Sequence, residues 1–276
     1  MRRTRILLAI DASDASAAAV RLAGGIASAL KADVAVLHAH EPGFSDTGHD
    51  APESRAAAAL AAAGIPARIE VRSGEPAEEI VAASRRVKPD LLVMGSRGRS
   101  RLGKAILGSV SQEVMARVTC PVLLVRADGD TVAGPYSIVV AVEGQVGLDP
   151  LLAVTKKLAR ALSAKVFLVH VSYPRGEELE RTIYHAHESH GEQALASAAA
   201  ALVRAGLQVE SKVLNTRAGL ARSLAEFSES IGADLIVMGA HPAATEFGPA
   251  IIGPAVSVSH LSRRPLVVAR EDAKRR

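Results

Sequence analysis

Tryptophan is absent from this chain, cysteine occurs once, and aromatic residues make up only 3% of its 276 positions. With so few rings, the core has to be assembled from Ala, Val, Leu and Ile. No interleaving of aromatic and basic residues offers a stacking platform for nucleic-acid bases. The lone cysteine, Cys120, excludes a disulfide framework within the chain and fits a reducing compartment. No stretch approaches the roughly eighteen consecutive apolar residues of a membrane span. The first apolar run, Ile6–Ile10 after "MRRTR", is too short for a signal-peptide core and ends at Asp11. The expectation is a cytoplasmic protein with neither nucleic acid nor membrane as partner. Charge lacks a dominant sign as well. The 33 basic and 29 acidic residues leave a net charge of +4, spread along the chain as a solvated surface.

What the chain does contain is itself, twice. "RILLAID" from Arg5 resembles "SIVVAVE" from Ser137, and "DVAVLHAHEP" from Asp33 resembles "KVFLVHVSYP" from Lys165. "DLLVMG" from Asp90 and "DLIVMG" from Asp234 differ at one position, and "CPVLLVR" from Cys120 resembles "RPLVVAR" from Arg264. The order is the same in both halves. Asp11 to Glu143 is an offset of 132 and Met94 to Met238 an offset of 144, so the second copy carries about twelve more residues. These are expected between its second and third strands. "ADGDTVAGP", Ala127–Pro135, reads as the linker between domains 1–127 and 135–276.

Within the first copy, short runs rich in Val, Ile and Leu alternate with Ala-rich helical stretches. The runs predict strands near 5–10, 33–39, 67–71, 90–94 and 121–126. "ASAAAVRLAGGIASAL", "PESRAAAALAAAG" and "PAEEIVAASRRV" predict helices, with Pro52 and Pro76 in first turns and Gly64 at a C-terminal cap. A last helix should open near Gly108. Strands alternating with helices imply a parallel sheet covered on both faces. The predicted fold class is α/β, as two tandem doubly wound five-stranded parallel-sheet domains. In such sheets a ligand binds beyond the carboxyl ends of the strands, where the strand order reverses. Asp11 follows the first strand and Gly95 the fourth, so both belong at that crevice if the two strands are neighbours.

The stretch after the fourth strand, "MGSRGRSRLGKAILGSVS", joins glycines to a helix start. Glycines let a phosphate approach the backbone, and a helix N-terminus supplies free N–H groups and a favourable dipole. Gly95, Gly98, Gly108 and Ser109 follow the pattern G-x-x-G, nine residues, G-[S/T], with Arg97, Arg99, Arg101 and Lys104 as nearby cations. "GRSRLGK" also fits the glycine–lysine pattern of a P-loop. Ala105 stands where that motif needs a hydroxyl for Mg²⁺, and the match lies several residues past the strand end, which argues against it.

With "AIDAS", "LHAHEP", "SGEPAEEI", "VMGSRG" and "GSVSQEVMARVTCPVLLVR" in the same order, the chain resembles the universal stress protein family over nearly its whole length, as a tandem member. The resemblance implies a Rossmann-like, adenine nucleotide alpha hydrolase-like fold and ATP as the cofactor, with Mg²⁺. It implies that Asp11 holds the base or ribose end and that the backbone at Ala39 contacts adenine. Met94 and Gly95 would line the pocket floor, and Gly98, Gly108, Ser109 and Val110 would cradle the ribose and phosphates. It further implies a nucleotide-dependent regulator of stress response with a protein partner, its two halves packed as a pseudo-dimer in which "PVLLV" and "PLVVA" pair edge to edge. A homodimer of whole chains is compatible with this. Two other readings stand beside it: a nucleotide-independent scaffold, and a slow ATPase or metal-dependent enzyme. No residue pattern nominates a catalytic base or a nucleophile with its partners.

The second copy has lost the marks of the first. Pro242 replaces the second glycine, Gly253 is retained one residue late, Pro254 replaces the Ser, and Glu143 stands for Asp11. Proline removes an N–H donor and fixes φ. One nucleotide per chain is expected, in the first domain. "YHAHESH" brings His185, His187 and His190 close together without a closed ligand set, so a solvated segment is expected rather than a metal site. His38 and His170 occupy equivalent places and are expected to be structural, and Cys120 to be buried and inert.

Overall fold

The structure is a computed structural model that describes residues 2–43, 51–96, 107–128, 136–144, 148–172, 181–240 and 253–270, without the side chains of 181–189. Its first half runs β1 (Arg5–Ile10), α1 (Asp14–Leu30), β2 (Asp33–His40), α2 (Pro52–Ala62), β3 (Ala67–Ser73), α3 (Pro76–Val87), β4 (Leu91–Gly95), α4 (Ser109–Arg117) and β5 (Val122–Val125). The second half repeats the order: β6 (Ser137–Ala141), α5 (Leu148–Leu162), β7 (Lys165–Ser172), α6 (Arg181–Arg204), β8 (Val209–Asn215), α7 (Leu220–Ser230), β9 (Leu235–Gly239), α8 (Gly253–Leu261) and β10 (Leu266–Ala269).

Local chemistry explains the boundaries. Ser13 caps α1 by accepting from the Ser16 N–H, and Pro52 and Pro76 occupy first turns, where a missing N–H costs nothing. Gly64 follows α2 at φ +71°, a conformation that favours glycine. Helix α3 carries Glu78 and Glu79 in its first turn and Arg85 and Arg86 in its last, matching the helix dipole. The near-identical "DLLVMG" and "DLIVMG" share a structural task. Asp90 Oδ2 accepts from the Arg5 N–H at 2.9 Å, and Asp234 Oδ2 from the Ser137 N–H at 2.7 Å. Each aspartate thereby satisfies the start of the neighbouring strand.

Among the described residues, all the strands lie in one sheet of ten, in the order β3-β2-β1-β4-β5-β10-β9-β6-β7-β8. Within each half the strands are parallel. The first crossovers build outward from β1 and the chain then returns to place β4 on its other side, so strand order reverses between β1 and β4. The halves meet through β5 and β10, which pair antiparallel with Leu123 opposite Val267. These two residues are themselves counterparts in the repeat. The pseudo-twofold axis therefore passes between them, and the predicted edge-to-edge pairing of the last strands is present.

Strand alternation sorts the core into two layers. Ile6, Leu8 and Ile10 face the layer under α1, α2, α5 and α6, whereas Leu7 and Ala9 face the layer under α3, α4, α7 and α8. Both layers contain residues of both halves, and α1 packs against α5 across the axis. The extra residues of the second copy divide more finely than expected. Matching strands are offset by 132 at β2/β7, 142 at β3/β8 and 144 at β4/β9, so two of the twelve fall after the third strand.

Leu123 is fully buried beside the axis, in contact with the core of both halves. Leu123→Ala should lower unfolding stability by about 2–5 kcal/mol, with both halves lost in one transition. Urea denaturation followed by circular dichroism measures both.

Candidate functional site

At the end of β1, the chain turns into α1 through a closed set of hydrogen bonds. The Asp11 N–H donates to Ser16 Oγ at 3.0 Å. The Ser13 N–H and hydroxyl both donate to Asp11 Oδ1, at 3.0 and 2.5 Å. The same Ser13 hydroxyl oxygen caps the helix by accepting from the Ser16 N–H. The Asp11 carboxylate is thus held by its own turn.

Next to it, β4 ends at Gly95. A Cβ at this position would lie 3.1 Å from Ala15 Cβ and 3.2 Å from the Ser16 nitrogen, so a larger residue there requires the first turn of α1 to give by a few tenths of an ångström. Beyond β4, the Gly108 N–H donates to the Ser96 carbonyl at 2.9 Å, and Ser111 Oγ donates to the Gly95 carbonyl at 2.9 Å. The start of α4 is fastened to the end of β4. Gly108 caps α4 without a side-chain bond, at φ −61° and ψ 149°, backbone that any residue adopts. As at every helix start, the N–H groups of Ser109, Val110 and Ser111 have no acceptor within the helix.

Between these elements lies a cavity of about 390 Å³, walled by the ends of β1, β2 and β4 and the starts of α3 and α4. Its volume falls within the usual range for small-molecule sites. Asp11, Ala39, Met94, Gly95, Gly108, Ser109 and Val110 all line it. Gly98 and the cations Arg97, Arg99, Arg101 and Lys104 lie outside the described residues.

Pro76 and Ile80 close the far wall, an i, i+4 pair on one face of α3 that the Gly-x-Pro-Ala stretch could have signalled. His38 also lines the cavity. It is 5% exposed, and its Nδ1–H donates to Glu53 Oε2 on α2 at 2.7 Å, so its structural role and its place on the wall coexist. Nothing in the local sequence pairs His38 with Glu53, because the partners belong to different elements.

The second half treats the equivalent place differently. The Nδ1–H of His170 donates to the carbonyl of Val142, the counterpart of cavity-lining Ile10, at 2.8 Å. Helix α6 presses on that ring so closely that a Cβ at Gly191 would fall 2.1 Å from His170 Cε1. The offset of 144 holds through β9, α8 and β10, which corrects the expected match of Pro254 to Ser109: Gly253 is the counterpart of Ser109, Pro254 of Val110 and Ala255 of Ser111. One N–H and both hydroxyls of the first helical turn are thereby gone.

His190 is exposed, while the side chains of His185 and His187 lie outside the described residues. Among the described residues, no three His, Cys, Asp or Glu side chains are grouped to hold a metal. No helix among them is long and apolar enough to cross a membrane. Cys120, expected to be buried, is half-buried and does not line the cavity; desolvation pushes its thiol up to about 11. At pH 8 the thiol is protonated, so iodoacetamide should label Cys120 much more slowly in the folded chain than in urea. Mass spectrometry of timed samples measures the ratio. Ser13→Ala removes the α1 cap and the hydroxyl bond to Asp11, and should cost about 1 kcal/mol in urea unfolding.

The sequence model of the Universal stress protein family matches residues 2–126 and again residues 136–270. A Thermus aquaticus relative, named as the universal stress protein in the QAH/OAS sulfhydrylase 3' region, is 40% identical over 133 residues, 44% of this chain and 97% of its own. The universal stress protein YxiE of Bacillus subtilis is 34% identical over 145 residues, again 44% of this chain and 98% of its own. Among solved structures, a universal stress protein from Archaeoglobus fulgidus superposes with a TM-score of 0.72 at 23% identity, covering 98% of this chain and 99% of that one. That structural likeness carries the fold alone; the two family matches carry membership. The chain belongs to the universal stress protein family, with two of its domains in tandem.

Proposed function

We propose that the protein is an ATP-binding regulator of stress response that takes one nucleotide, with Mg²⁺, in the cavity of its first half. The observation that carries this reading is the cavity's polarity along its length. A carboxylate fixed by its own turn, Asp11, stands at the end of β1, and the unpartnered N–H groups of the α4 start stand beside the end of β4. A carboxylate attracts hydroxyls and amines and repels phosphate, whereas a helix N-terminus does the reverse. A ligand that is neutral and hydrogen-bonding at one end and anionic at the other meets both demands, and a nucleoside phosphate has that form.

In this reading Asp11 binds the base or ribose end, and the backbone at Ala39 meets the adenine edge. Met94 and Gly95 form the floor, and Gly108, Ser109 and Val110 receive the phosphates. Gly98 and the neighbouring arginines complete the phosphate end. Mg²⁺ would neutralise phosphate charge. Chain segments 1–127 and 135–276 act as the two domains. The second half takes no nucleotide: Pro254 removes a donor, Ala255 removes a hydroxyl, and His170 is drawn onto the Val142 carbonyl beneath α6. The reading is regulatory rather than enzymatic, with the bound nucleotide favouring one arrangement of the chain.

Calorimetric titration of ATP into protein freed of carried-over nucleotide tests this. One site per chain is expected, abolished by Gly108→Glu and untouched by Gly253→Glu, with circular dichroism confirming that both variants fold. Two sites would overturn the assignment to the first half alone. Absence of binding in folded wild-type protein would overturn the nucleotide reading in favour of a scaffold.

A further inference from the structure

Every residue that lines the cavity belongs to the first half, but the segment leading into its α4 wall is held by the second. Leu107, next to Gly108, is 3% exposed and lies outside any helix or strand, so its N–H needs a partner. That partner comes from the other half: the Leu107 N–H donates to His260 Nε2, on α8, at 2.7 Å. The Leu107 carbonyl is taken up by the Gln112 side chain at 2.9 Å. Leu107 is therefore held on both sides, and the Gly108 N–H that follows is held by Ser96.

His260 is itself held by the first half. Arg126, which follows β5, donates from Nη1 to the carbonyls of Ser259 and His260 at 3.2 and 3.1 Å. The counterpart arginine also crosses: Arg270, following β10, donates to the Val118 carbonyl just past α4 at 3.1 Å, two to three residues beyond the strict counterparts of Ser259 and His260. The arginines are themselves counterparts, but the histidine has none of its kind. The counterpart of His260 on α4 is Ala116, whose methyl group accepts nothing. The imidazole thus comes from the second half to the first, the half that retained its glycines and serines, and α4 has none at the matching position to return.

We propose that His260 is a positioning residue for the nucleotide site: the second half sets the affinity of the first half's cavity by fixing Leu107, and through it Gly108 and the start of α4. The inference rests on the nucleotide reading for its functional consequence, but the bond itself does not. Acting as an acceptor requires the neutral imidazole with its proton on Nδ1. Without the acceptor, a buried N–H is left unpaired and the segment shifts to reach another partner. A site whose competent arrangement is populated less often binds its ligand more weakly in proportion.

The test uses the full chain and two readouts, amide hydrogen exchange of Leu107 in nucleotide-free protein and the calorimetric Kd for ATP. His260→Ala should accelerate Leu107 exchange by roughly tenfold or more and raise the Kd by about 3- to 10-fold, as expected for the loss of one buried hydrogen bond. His260→Gln, whose side-chain oxygen reaches the place of Nε2, should restore both toward wild type. Core amides of β4 report whether the fold is intact. If His260→Ala loses them, His260→Leu, which keeps bulk without an acceptor, replaces it. Unchanged Leu107 exchange overturns the bond, faster exchange at unchanged Kd overturns the coupling, and a Gln variant no better than Ala overturns the acceptor role. Wild-type protein that binds no ATP overturns the nucleotide reading instead, and does so before any variant is made.

Discussion

The antiparallel pairing of β5 with β10 is the contact on which the rest of the molecule depends. It joins two five-stranded parallel sheets into one sheet of ten, with a residue and its own counterpart, Leu123 and Val267, facing each other at the axis. Each strand would otherwise be an open edge with unpaired N–H and C=O groups, the kind of edge that recruits other chains. Pairing them removes both hazards at once and makes each core layer continuous. It also places Arg126 and Arg270 so that each crosses to the last turn of the other half's helix.

The cavity follows from the same geometry. Strand order reverses between β1 and β4, which opens a crevice beyond their carboxyl ends, and the turns into α1 and α4 bring contrasting polarity to its walls. Glycine at 95 admits α1, serine at 111 ties α4 to β4, and serine at 13 ties Asp11 to its own turn. The second half preserves the sheet and the crossovers but not these details. Its counterpart histidine leans onto the strand end and its helix start carries a proline. Identical topology therefore carries a cavity in one half and different packing at the equivalent place in the other.

Much of this was legible in the residues. Proline at first turns, glycine after α2 and the alternation of apolar runs placed eight elements of the first half, and the start of the ninth, within a residue or two, because each of those signals is local. Asp11, Ala39, Met94, Gly95, Gly108, Ser109 and Val110 share a cavity because each sits at the end of a strand or the start of a helix at the crevice. The reason for the glycine at 95 was not legible, since it is the approach of another helix. Nor was the pairing of His38 with Glu53, or that of Leu107 with His260, partners 153 positions apart in sequence. A pattern read along the chain finds what neighbours in sequence impose on one another. It has no access to contacts that exist only after two halves have docked.

Joining the halves in one polypeptide changes how their contact responds to dilution. Two separate chains meeting through such a strand pair would obey mass action, coming apart as their concentration fell below the dissociation constant. Here the partner strand is tethered, so its effective concentration is set by the connecting segment and not by abundance. The contact between Leu107 and His260 is consequently as complete in a scarce protein as in a plentiful one. The tether also forbids exchange: an unsymmetrical pairing of one intact and one altered copy stays unsymmetrical, with every molecule carrying the same single arrangement.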